Sequence, residues 1–388
     1  CRFGKEIIAT LIRNSSVYLV GEVIECVIII KNPSTPDHLQ GHSASVENLA
    51  WASAQIQCYC ATDKSPTLNS VSNNTVVINS GTSLETLHSN NDSIIVSTKP
   101  KILFCDLTLA PGESIKYYYN EVIPIDSPPS YRGSLVKYSY KVLIGTQRVN
   151  SNVKLVKVPF RVLPLSSVNT PLDGLGLCND TSEELTRTNP FLETKKTDSP
   201  LEIAIENLQN ITARRSPNFY MITNNNGHVC RFCLFKPAYK LGEDIVGAFD
   251  FSVAVVPCMQ ISVSLQCEEV LKNSKTESKA TTGKIVTYNR HNEVCIGLSH
   301  TQLILPIPLH VTPCFETSLV TLKWRLHFEF VTSSSPELKL PSKTIMDWRA
   351  PENVPIETMV WDLPITIHST NPMLIASPNA TNTHIIIK

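Results

Sequence analysis

The segment with the most obvious potential for chemistry is 228–233, where Cys230 and Cys233 have the Cys-x-x-Cys spacing of a zinc or redox site and follow His228. A zinc site needs further ligands at a matching spacing. The nearest cysteines, Cys258 and Cys267, belong to other strand-like runs. Because the segment itself reads as a strand, we predict that its two cysteines are structural.

The motifs of covalent catalysis and of phosphate binding are incomplete in this chain. Residues 41–45, Gly-His-Ser-Ala-Ser, lack the second glycine of a nucleophile elbow. Residues 283–285, Gly-Lys-Ile, lack the Ser or Thr that follows the lysine of a phosphate loop, and Ser278 stands where its first glycine is required. A Ser–His–Asp site built from distant positions stays a remote alternative. We predict that the chain is not an enzyme, with no catalytic residue, no metal, no cofactor and no bound nucleotide.

Residues 128–131 spell Pro-Pro-Ser-Tyr, which matches the Pro-Pro-x-Tyr ligand of WW domains. Such a ligand must be exposed and extended in order to dock. Here the motif lies inside the first half of the chain, shortly before a strand-like run that begins at Val136. We therefore predict a structural turn at 128–131 and keep WW-domain binding as the alternative.

The composition excludes several classes of partner. The chain has 388 residues with 34 basic and 34 acidic side chains, so its formal net charge is zero. A neutral chain has no long-range field to attract nucleic acid or an anionic membrane surface, so we expect no nucleic-acid binding and only indirect membrane association. No apolar run reaches the roughly 18 residues of a membrane-spanning helix. The first residues do not read as a signal peptide.

The twelve cysteines are interpreted as reduced thiols. Most of them lie in strand-like runs, as Cys26, Cys58, Cys105 and Cys267 do, where cysteine behaves as a small hydrophobic residue. Cys58 and Cys60 point their thiols to the same face of a strand, so we predict that both thiols pack in the core. A chain of this length does not need disulfides for stability, so we predict a cytosolic protein.

Alternation with a period of two dominates the chain and predicts an all-β protein. In residues 323–330 four large apolar side chains, beginning with Trp324, fall on one face and four charged or polar ones on the other. The 26 prolines cluster between such runs or at their edges. Two stretches, 62–98 and 273–292, are predicted to be mobile loops. The same alternation occupies 17–30, 53–60, 136–143, 154–162 and 261–267.

One segment departs from this pattern and predicts a short helix at about 200–213. Ser199 and Glu202 form a capping box around Pro200, a residue favoured at the first helical position. Apolar residues then recur at helical spacing on one face, at Leu201, Ile205, Leu208 and Ile211. We predict that this face packs on the chain's own sandwich, with a groove on a partner as the alternative.

An internal repeat is the strongest finding in the sequence. Residues 18–26 and 239–247 share the frame Tyr-x-(Val/Leu)-Gly-Glu-x-Ile. Further blocks recur in the same order in both halves, which chance does not readily explain. The chain is therefore predicted to contain two copies of one antiparallel β-sandwich, at 1–165 and 217–370, with a linker at 166–216 and a tail at 371–388. The further pairs are 56–58 with 265–267, 123–125 with 307–309, 134–136 with 318–320 and 158–162 with 363–367.

The repeat, together with the segment 128–133 before a Tyr-rich strand, resembles the arrestin fold. Closer still, four blocks resemble the reduced growth phenotype protein family, the small subunit of the heterodimeric exchange factor for the Golgi Rab GTPase. This resemblance extends from about residue 8 to residue 367. The four blocks are 49–56 (Leu-Ala-Trp-Ala-Ser-Ala-Gln-Ile), 101–107 (Lys-Ile-Leu-Phe-Cys-Asp-Leu), 239–247 and 322–331.

The resemblance implies an arrestin-like fold of two tandem antiparallel β-sandwich lobes with a short linker helix. It also implies a subunit without covalent catalysis that promotes GDP release from a Golgi Rab GTPase and supports retrograde vesicle traffic. The implied partners are a large propeller-containing subunit and the GTPase, and the implied location is cytoplasmic, peripherally associated with Golgi membranes. The alternatives are an arrestin-domain trafficking adaptor and a retromer-like coat subunit.

The sequence assigns no residue to the partner interface. Some exchange factors insert an acidic side chain against the Mg²⁺ site of the GTPase, and Glu22, Asp106 and Glu243 are acidic residues near the ends of strands or turns. Nothing in the sequence singles out one of them. We therefore predict that all three are solvated turn residues.

Overall fold

The computed structural model describes residues 6–33, 46–62, 92–149, 151–165, 200–272, 283–333, 352–375 and 383–386. In these ranges the strands form four sheets, two in each half of the chain, with one α-helix between the halves. The prediction of an all-β protein with two tandem sandwich lobes is confirmed. Within the described ranges, no helix is long and apolar enough to cross a membrane.

The first lobe is built from the first ten strands of the chain. Proline and turn-forming residues separate them, and alternation of apolar residues gives most of them one buried face. They are β1 (Glu6–Leu11), β2 (Val17–Leu19), β3 (Val23–Lys31), β4 (Glu47–Thr62), β5 (Asp92–Ser97), β6 (Lys101–Leu109), β7 (Ser114–Val122), β8 (Tyr131–Arg132), β9 (Val136–Arg148) and β10 (Lys154–Leu163).

The second lobe follows the helix α1 (Pro200–Ala213) and repeats this pattern. A final strand, β21 (Thr383–Ile386), comes after it near the end of the chain. The strands of the second lobe are β11 (Asn218–Asn224), β12 (Gly227–Leu234), β13 (Ala238–Lys240), β14 (Asp244–Asp250), β15 (Cys258–Leu271), β16 (Lys284–Val294), β17 (His300–Pro306), β18 (Phe315–Glu316), β19 (Val320–Thr332) and β20 (Glu357–His368).

Each lobe pairs a four-stranded sheet with a larger one. In the first lobe the orders are β21-β1-β3-β7 and β2-β10-β9-β4-β5, with β6 added to β4 and β8 to β9. In the second lobe they are β11-β12-β14-β17 and β13-β20-β19-β15-β16, with β18 added to β19. The strand β21, from the end of the chain, thus occupies in the first lobe the place that β11 has in the second.

Hydrogen bonds at equivalent places confirm the internal repeat. The backbone amide of Gly21 donates to the carbonyl oxygen of Ile123 at 2.9 Å, and that of Gly242 donates to Ile307 at 3.1 Å. Both glycines have a φ of +83°, in the left-handed region that glycine adopts without strain. The shared glycine in the repeated frame is therefore required by the turn between β2 and β3 and by its copy between β13 and β14.

The alternation predicted at 323–330 is confirmed in β19. Trp324 is buried, and its indole nitrogen donates a hydrogen bond to the carbonyl oxygen of Thr312 at 3.1 Å. The charged side chains of Lys323 and Arg325 lie on the opposite face of the sheet, where they reach solvent. The core of the second lobe therefore contains a continuous row of large side chains from this strand, namely Trp324, Leu326, Phe328 and Phe330.

Two stretches that we predicted to be mobile loops contain strands, so these predictions are wrong in part. Within 62–98, β5 pairs with β4, and within 273–292, β16 pairs with β15. A polar composition suggested loops, but an edge strand is held by backbone hydrogen bonds to its neighbour, and these do not depend on side-chain polarity. The remaining parts, 63–91 and 273–282, lie outside the described residues.

The helix α1 has the predicted bounds and connects the two lobes. At its start Leu201 lies against Gly21 in the first lobe. At its end the carbonyl oxygen of Thr212 accepts a hydrogen bond from Lys236 Nζ of the second lobe at 3.2 Å. Ser199, the predicted N-cap, lies outside the described residues.

The predicted packing of the helix on its own sandwich is confirmed for part of its apolar face. Leu201 and Ile205 pack against the core, and Thr212 is buried. Ile211, which we placed on the same face, is exposed. The buried face therefore follows positions 201, 205 and 212, and Ile211 falls beside it because one residue corresponds to about 100° of rotation.

A buried carboxylate joins the two lobes. Glu269 lies in β15 of the second lobe and is only 2% exposed. Its oxygens accept hydrogen bonds from the backbone amides of Ser134, Leu135 and Val136 at 3.0–3.3 Å, and from the Ser134 hydroxyl at 2.9 Å. These donors lie at the start of β9 in the first lobe. The carboxylate therefore replaces its lost hydration with protein donors, as a buried charge requires.

Further contacts between the lobes support this junction. Arg161 Nη2, in β10, donates to the carbonyl oxygen of Val311 at 2.8 Å. Burial lowers the pKa of the Arg161 guanidinium below its ordinary value. The rings of Tyr131 and Phe315, from equivalent strands of the two lobes, meet edge to face with their centres 5.1 Å apart. The junction is therefore specific, because it combines directional hydrogen bonds with apolar contact.

Candidate interaction surface

The Cys-x-x-Cys segment does not bring its two thiols together. Cys230 and Cys233 are three residues apart in β12, so their side chains point to opposite faces of the sheet. Cys230 is in the core, and burial raises its pKa to about 12. Among the described residues, no group of three His, Cys, Asp or Glu side chains could hold a metal ion.

The Pro-Pro-Ser-Tyr segment is a structural part of the first lobe, as predicted, but the turn itself precedes it at 124–127, where the amide of Ser127 donates to the carbonyl oxygen of Pro124 at 3.1 Å. Pro129 is buried, and the carbonyl oxygen of Pro128 accepts a hydrogen bond from the hydroxyl of Tyr140 at 2.5 Å. Two hydrogen bonds join Ser130 to Val162 in β10: the Ser130 amide donates to the Val162 carbonyl oxygen at 2.8 Å, and the Val162 amide donates to the Ser130 hydroxyl oxygen at 2.9 Å. A segment fixed in this way is not available as an extended WW-domain ligand.

Two of the three acidic candidates lie at turns, as predicted, but they are half-buried and paired rather than freely solvated. The Glu22 carboxylate accepts a hydrogen bond from the backbone amide of Leu19 at 2.8 Å and lies 2.6 Å from Arg13 Nη1. Glu243 repeats this role in the second lobe, with Lys236 Nζ at 2.7 Å. The repeated glutamate is thus explained by the turn. Asp106, the third candidate, is exposed, as predicted, but it lies in β6 rather than in a turn.

The outer face of the four-stranded sheet of the second lobe carries an exposed apolar surface. Phe219 and Met221 project from its edge strand β11 and are 63% and 62% exposed. Across the sheet, Phe235 follows β12 and Ile304 lies in β17, and both are also exposed. We call the surface formed by Phe219, Met221, Phe235 and Ile304 the apolar face.

The strand register makes these residues contiguous. Phe219 lies opposite Cys233, which lies opposite Ala248. Val246 lies opposite Ile304, and its carbonyl oxygen accepts a hydrogen bond from the amide of Phe235 at 3.3 Å. Two successive rows of the sheet are therefore apolar over most of their width. A contiguous exposed patch of this kind marks an interaction site more often than scattered apolar residues do.

The row of the sheet that contains Met221 is otherwise charged or polar, and it borders the two apolar rows on one side. Arg231 lies opposite Met221 and is 2.9 Å from the carboxylate of Asp250, while His300 lies 3.3 Å from the same carboxylate. Hydrogen bonds from the side chain and backbone of Ser252 lower the pKa of Asp250 to about 2, so this carboxylate is charged at neutral pH. An apolar centre with a polar rim is the usual anatomy of a protein–protein interface.

The other outer face of the same lobe is different in character. On the larger sheet, His327 contacts Asp362 at 2.6 Å, and Arg325 lies 3.1 Å from the same carboxylate. Arg290 pairs with Glu329 beside them. These exposed pairs are each worth at most about 1 kcal/mol. The exposed apolar residues on this polar face, Ile285, Val294 and Val360, lie in three different rows of the sheet among charged and polar side chains, and Val360 is 67% exposed.

Comparisons with known proteins match the chain over most of its length. The family model described as Rgp1 matches residues 40–173 and 175–333. The human protein named RAB6A-GEF complex partner protein 2 is 44% identical over 402 residues, which cover 98% of this chain and 100% of that protein. The bovine protein of the same name is 43% identical over 389 residues, with 96% of each chain covered.

Proposed function

The chain belongs to the Rgp1 family, and we propose that it is a non-catalytic subunit of a guanine-nucleotide exchange complex that acts on a RAB6A-type GTPase. The observation that carries this proposal is the similarity, over nearly the whole of both chains, to proteins named as partners in a RAB6A-GEF complex. This family is the one that the four sequence blocks predicted.

Nucleotide exchange needs no covalent chemistry from this chain. An exchange factor binds the nucleotide-free GTPase more tightly than the loaded one, so it shifts the GTPase toward release of GDP. The chain contributes to that differential binding by stabilising a larger subunit, which the family resemblance predicts to contain a propeller. It also supplies part of the surface that faces the GTPase or the membrane. The two sandwich lobes provide the rigid support that such a role requires.

We assign the apolar face to the contact with the larger subunit. Phe219 and Met221 are large side chains on one edge strand, and the charged row of Arg231 and Asp250 lies beside them. Arg231 also lies over the Phe219 ring, 5.7 Å from its centre. Aromatic residues and methionine are enriched at interface centres, where they contribute most of the binding energy. A permanent partner would cover this area and remove it from water.

Location follows from the same proposal. A neutral chain does not bind an anionic membrane by charge, so the complex reaches Golgi membranes through the larger subunit or through the lipid-anchored GTPase. In cells, we expect the chain to lose its Golgi localisation when the larger subunit is depleted. Unchanged localisation would mean that this chain is recruited by itself.

Binding to the larger subunit tests the assigned surface. We expect the double substitution of Phe219→Thr with Met221→Thr to weaken binding at least tenfold, because large side chains at an interface centre often contribute about 2 kcal/mol or more each. Threonine keeps strand propensity, so the fold should be retained.

The matched control is Val360→Thr, which makes the same kind of change on the polar face of the same lobe, where Val360 is 67% exposed. We expect it to leave the affinity unchanged. Equal binding by the double variant and the unaltered chain would move the contact elsewhere on the protein. Failure of the unaltered chain to bind the larger subunit, with recovery of coat components in its place, would support a coat subunit.

A further inference from the structure

A small cavity at one end of the second lobe has two thiols in its wall. Its volume is about 120 Å³, and Cys258 and Cys295 both line it. The rest of the lining is mainly apolar and comes from the segment between β14 and β15 and from the turn after β16, including Phe251, Pro257 and Leu298. A cavity of this volume holds several molecules the size of water, so there is room for a small solute beside the two cysteines, which are otherwise buried.

The two cysteines are held side by side by neighbouring strands. Cys258 is the first residue of β15, and Cys295 directly follows β16. The backbone amide of Cys295 donates to the carbonyl oxygen of Met259 at 2.8 Å. Each thiol donates to a nearby carbonyl oxygen, that of Gln260 for Cys258 and that of Glu293 for Cys295, both at 3.6 Å. Two thiols on neighbouring strands that line one cavity can approach each other by side-chain rotation to the length of about 2.05 Å of a disulfide bond.

The segment that follows Cys295 can accommodate such a movement. Leu298 donates its amide to the carbonyl oxygen of Cys295 at 3.1 Å, which makes a tight turn, and Gly297 within it has a φ of +78°. Cys295 therefore lies at the junction of a strand and a glycine-containing turn. A position of this kind adapts to a new cross-link more readily than the middle of a sheet does.

The interaction between the two side chains makes the thiols chemically unequal. Cys258 lowers the pKa of Cys295, while burial acts in the opposite direction. Cys295 raises the pKa of Cys258, and burial adds to that effect. Cys230, which is also nearby, is held protonated at neutral pH because burial raises its pKa to about 12. This pattern, with one more acidic thiol beside a second one, is typical of thiols that react with peroxides.

We propose that Cys258 and Cys295 form a dithiol site that is oxidised by hydrogen peroxide. The thiolate of Cys295 attacks one peroxide oxygen, the O–O bond breaks, and the second oxygen leaves as water after taking up a proton. The sulfenic acid on Cys295 is then attacked by the sulfur of Cys258, which loses its proton as the S–S bond forms and a second water leaves. Two electrons pass from the two thiols to the peroxide, and a dithiol reductant restores the site.

Peptide mass spectrometry of the full chain after brief treatment with hydrogen peroxide tests this site. We expect a cross-link between the peptides that contain Cys258 and Cys295, with a loss of two hydrogen atoms that dithiothreitol reverses. Cys58 and Cys60 are the matched control, because they are also buried and close in sequence but do not line this cavity. We expect their oxidation to be at least tenfold slower.

Two variants assign the roles. In Cys258→Ser, the sulfenic acid on Cys295 has no thiol to resolve it, so it should be trapped by dimedone. In Cys295→Ser, Cys258 should stay reduced under the same treatment. The proposal is overturned if the folded wild-type chain gives no 258–295 cross-link, or if the cross-link forms only in denaturant. It is also overturned if Cys58 and Cys60 are oxidised equally fast.

Discussion

At the level of single residues, Glu269 makes the most concentrated set of polar contacts between the lobes. Replacing it with alanine leaves three backbone amides and the Ser134 hydroxyl without their acceptor. Each buried donor without a partner costs about 1–3 kcal/mol, and water that enters the space recovers part of that. We expect Glu269→Ala to lower the free energy of unfolding by about 3 kcal/mol in urea denaturation.

The neighbouring acid provides the control for this prediction. Glu268 precedes Glu269 in β15, so its side chain lies on the opposite, half-buried face of the sheet. Glu268→Ala should change the free energy of unfolding by less than about 0.5 kcal/mol, as most surface substitutions do. If the two substitutions had the same small effect, the buried carboxylate would not hold the lobes together.

Trp324 tests the core of the second lobe in the same way. Its ring is buried and lies against that of Tyr288, with the centres 5.1 Å apart. Trp324→Ala should cost about 3–5 kcal/mol, because a large cavity replaces the indole. Trp324→Phe should cost less, because it retains most of the apolar volume. Thermal or urea denaturation measures both, and a cost below about 1 kcal/mol for alanine would contradict the packing.

The sequence predicts Trp324 as a core residue but does not reveal the apolar face. In β19, apolar and charged residues alternate, so the pattern itself says which face is buried. In β11, the four successive residues 219–222 are all apolar, so the pattern cannot say which pair is exposed. The pairing with β12 decides it, since Tyr220 packs on Phe232 in the core and leaves Phe219 and Met221 outside.

At the level of elements, local sequence patterns predict the elements that are stabilised by interactions between residues close together in the chain. The helix α1 has its bounds encoded by a proline, an acidic residue in the first turn and apolar spacing. β5 and β16 are missed because their pairing partners, not their compositions, hold them in place. β21 is missed for the same reason, since its partner β1 is more than 370 residues away along the chain.

β21 offers a direct test of this long-range pairing. Ending the chain after residue 375 removes β21 and leaves one edge of β1 without its hydrogen-bonding partner. We expect the affected amides in β1 to exchange hydrogen for deuterium at least tenfold faster. β12 occupies the equivalent place in the second lobe, where β11 covers it, so its exchange should not change. Unchanged protection of β1 would mean that β21 does not stabilise that edge.

At the level of the whole molecule, one sandwich is used twice, but the two copies have been adapted differently. Both keep the glycine turn and its glutamate, which explains the repeat that the sequence reveals. The apolar face and the charged network around Asp362 belong to the second lobe, whereas the smaller sheet of the first lobe exposes a different set of residues, Val23, Tyr118 and Val122. The junction between the lobes holds the apolar face in a fixed position relative to the first lobe. A subunit that supports a larger partner requires such a fixed arrangement.

Release of fluorescent GDP from a RAB6A-type GTPase tests the central claim most directly. The larger subunit is assayed alone, with this chain, and with the variant that carries Phe219→Thr and Met221→Thr. We predict that the pair accelerates release at least tenfold over the larger subunit alone, and that the variant pair loses most of that gain at limiting concentration. Equal rates with and without this chain would contradict its role in exchange.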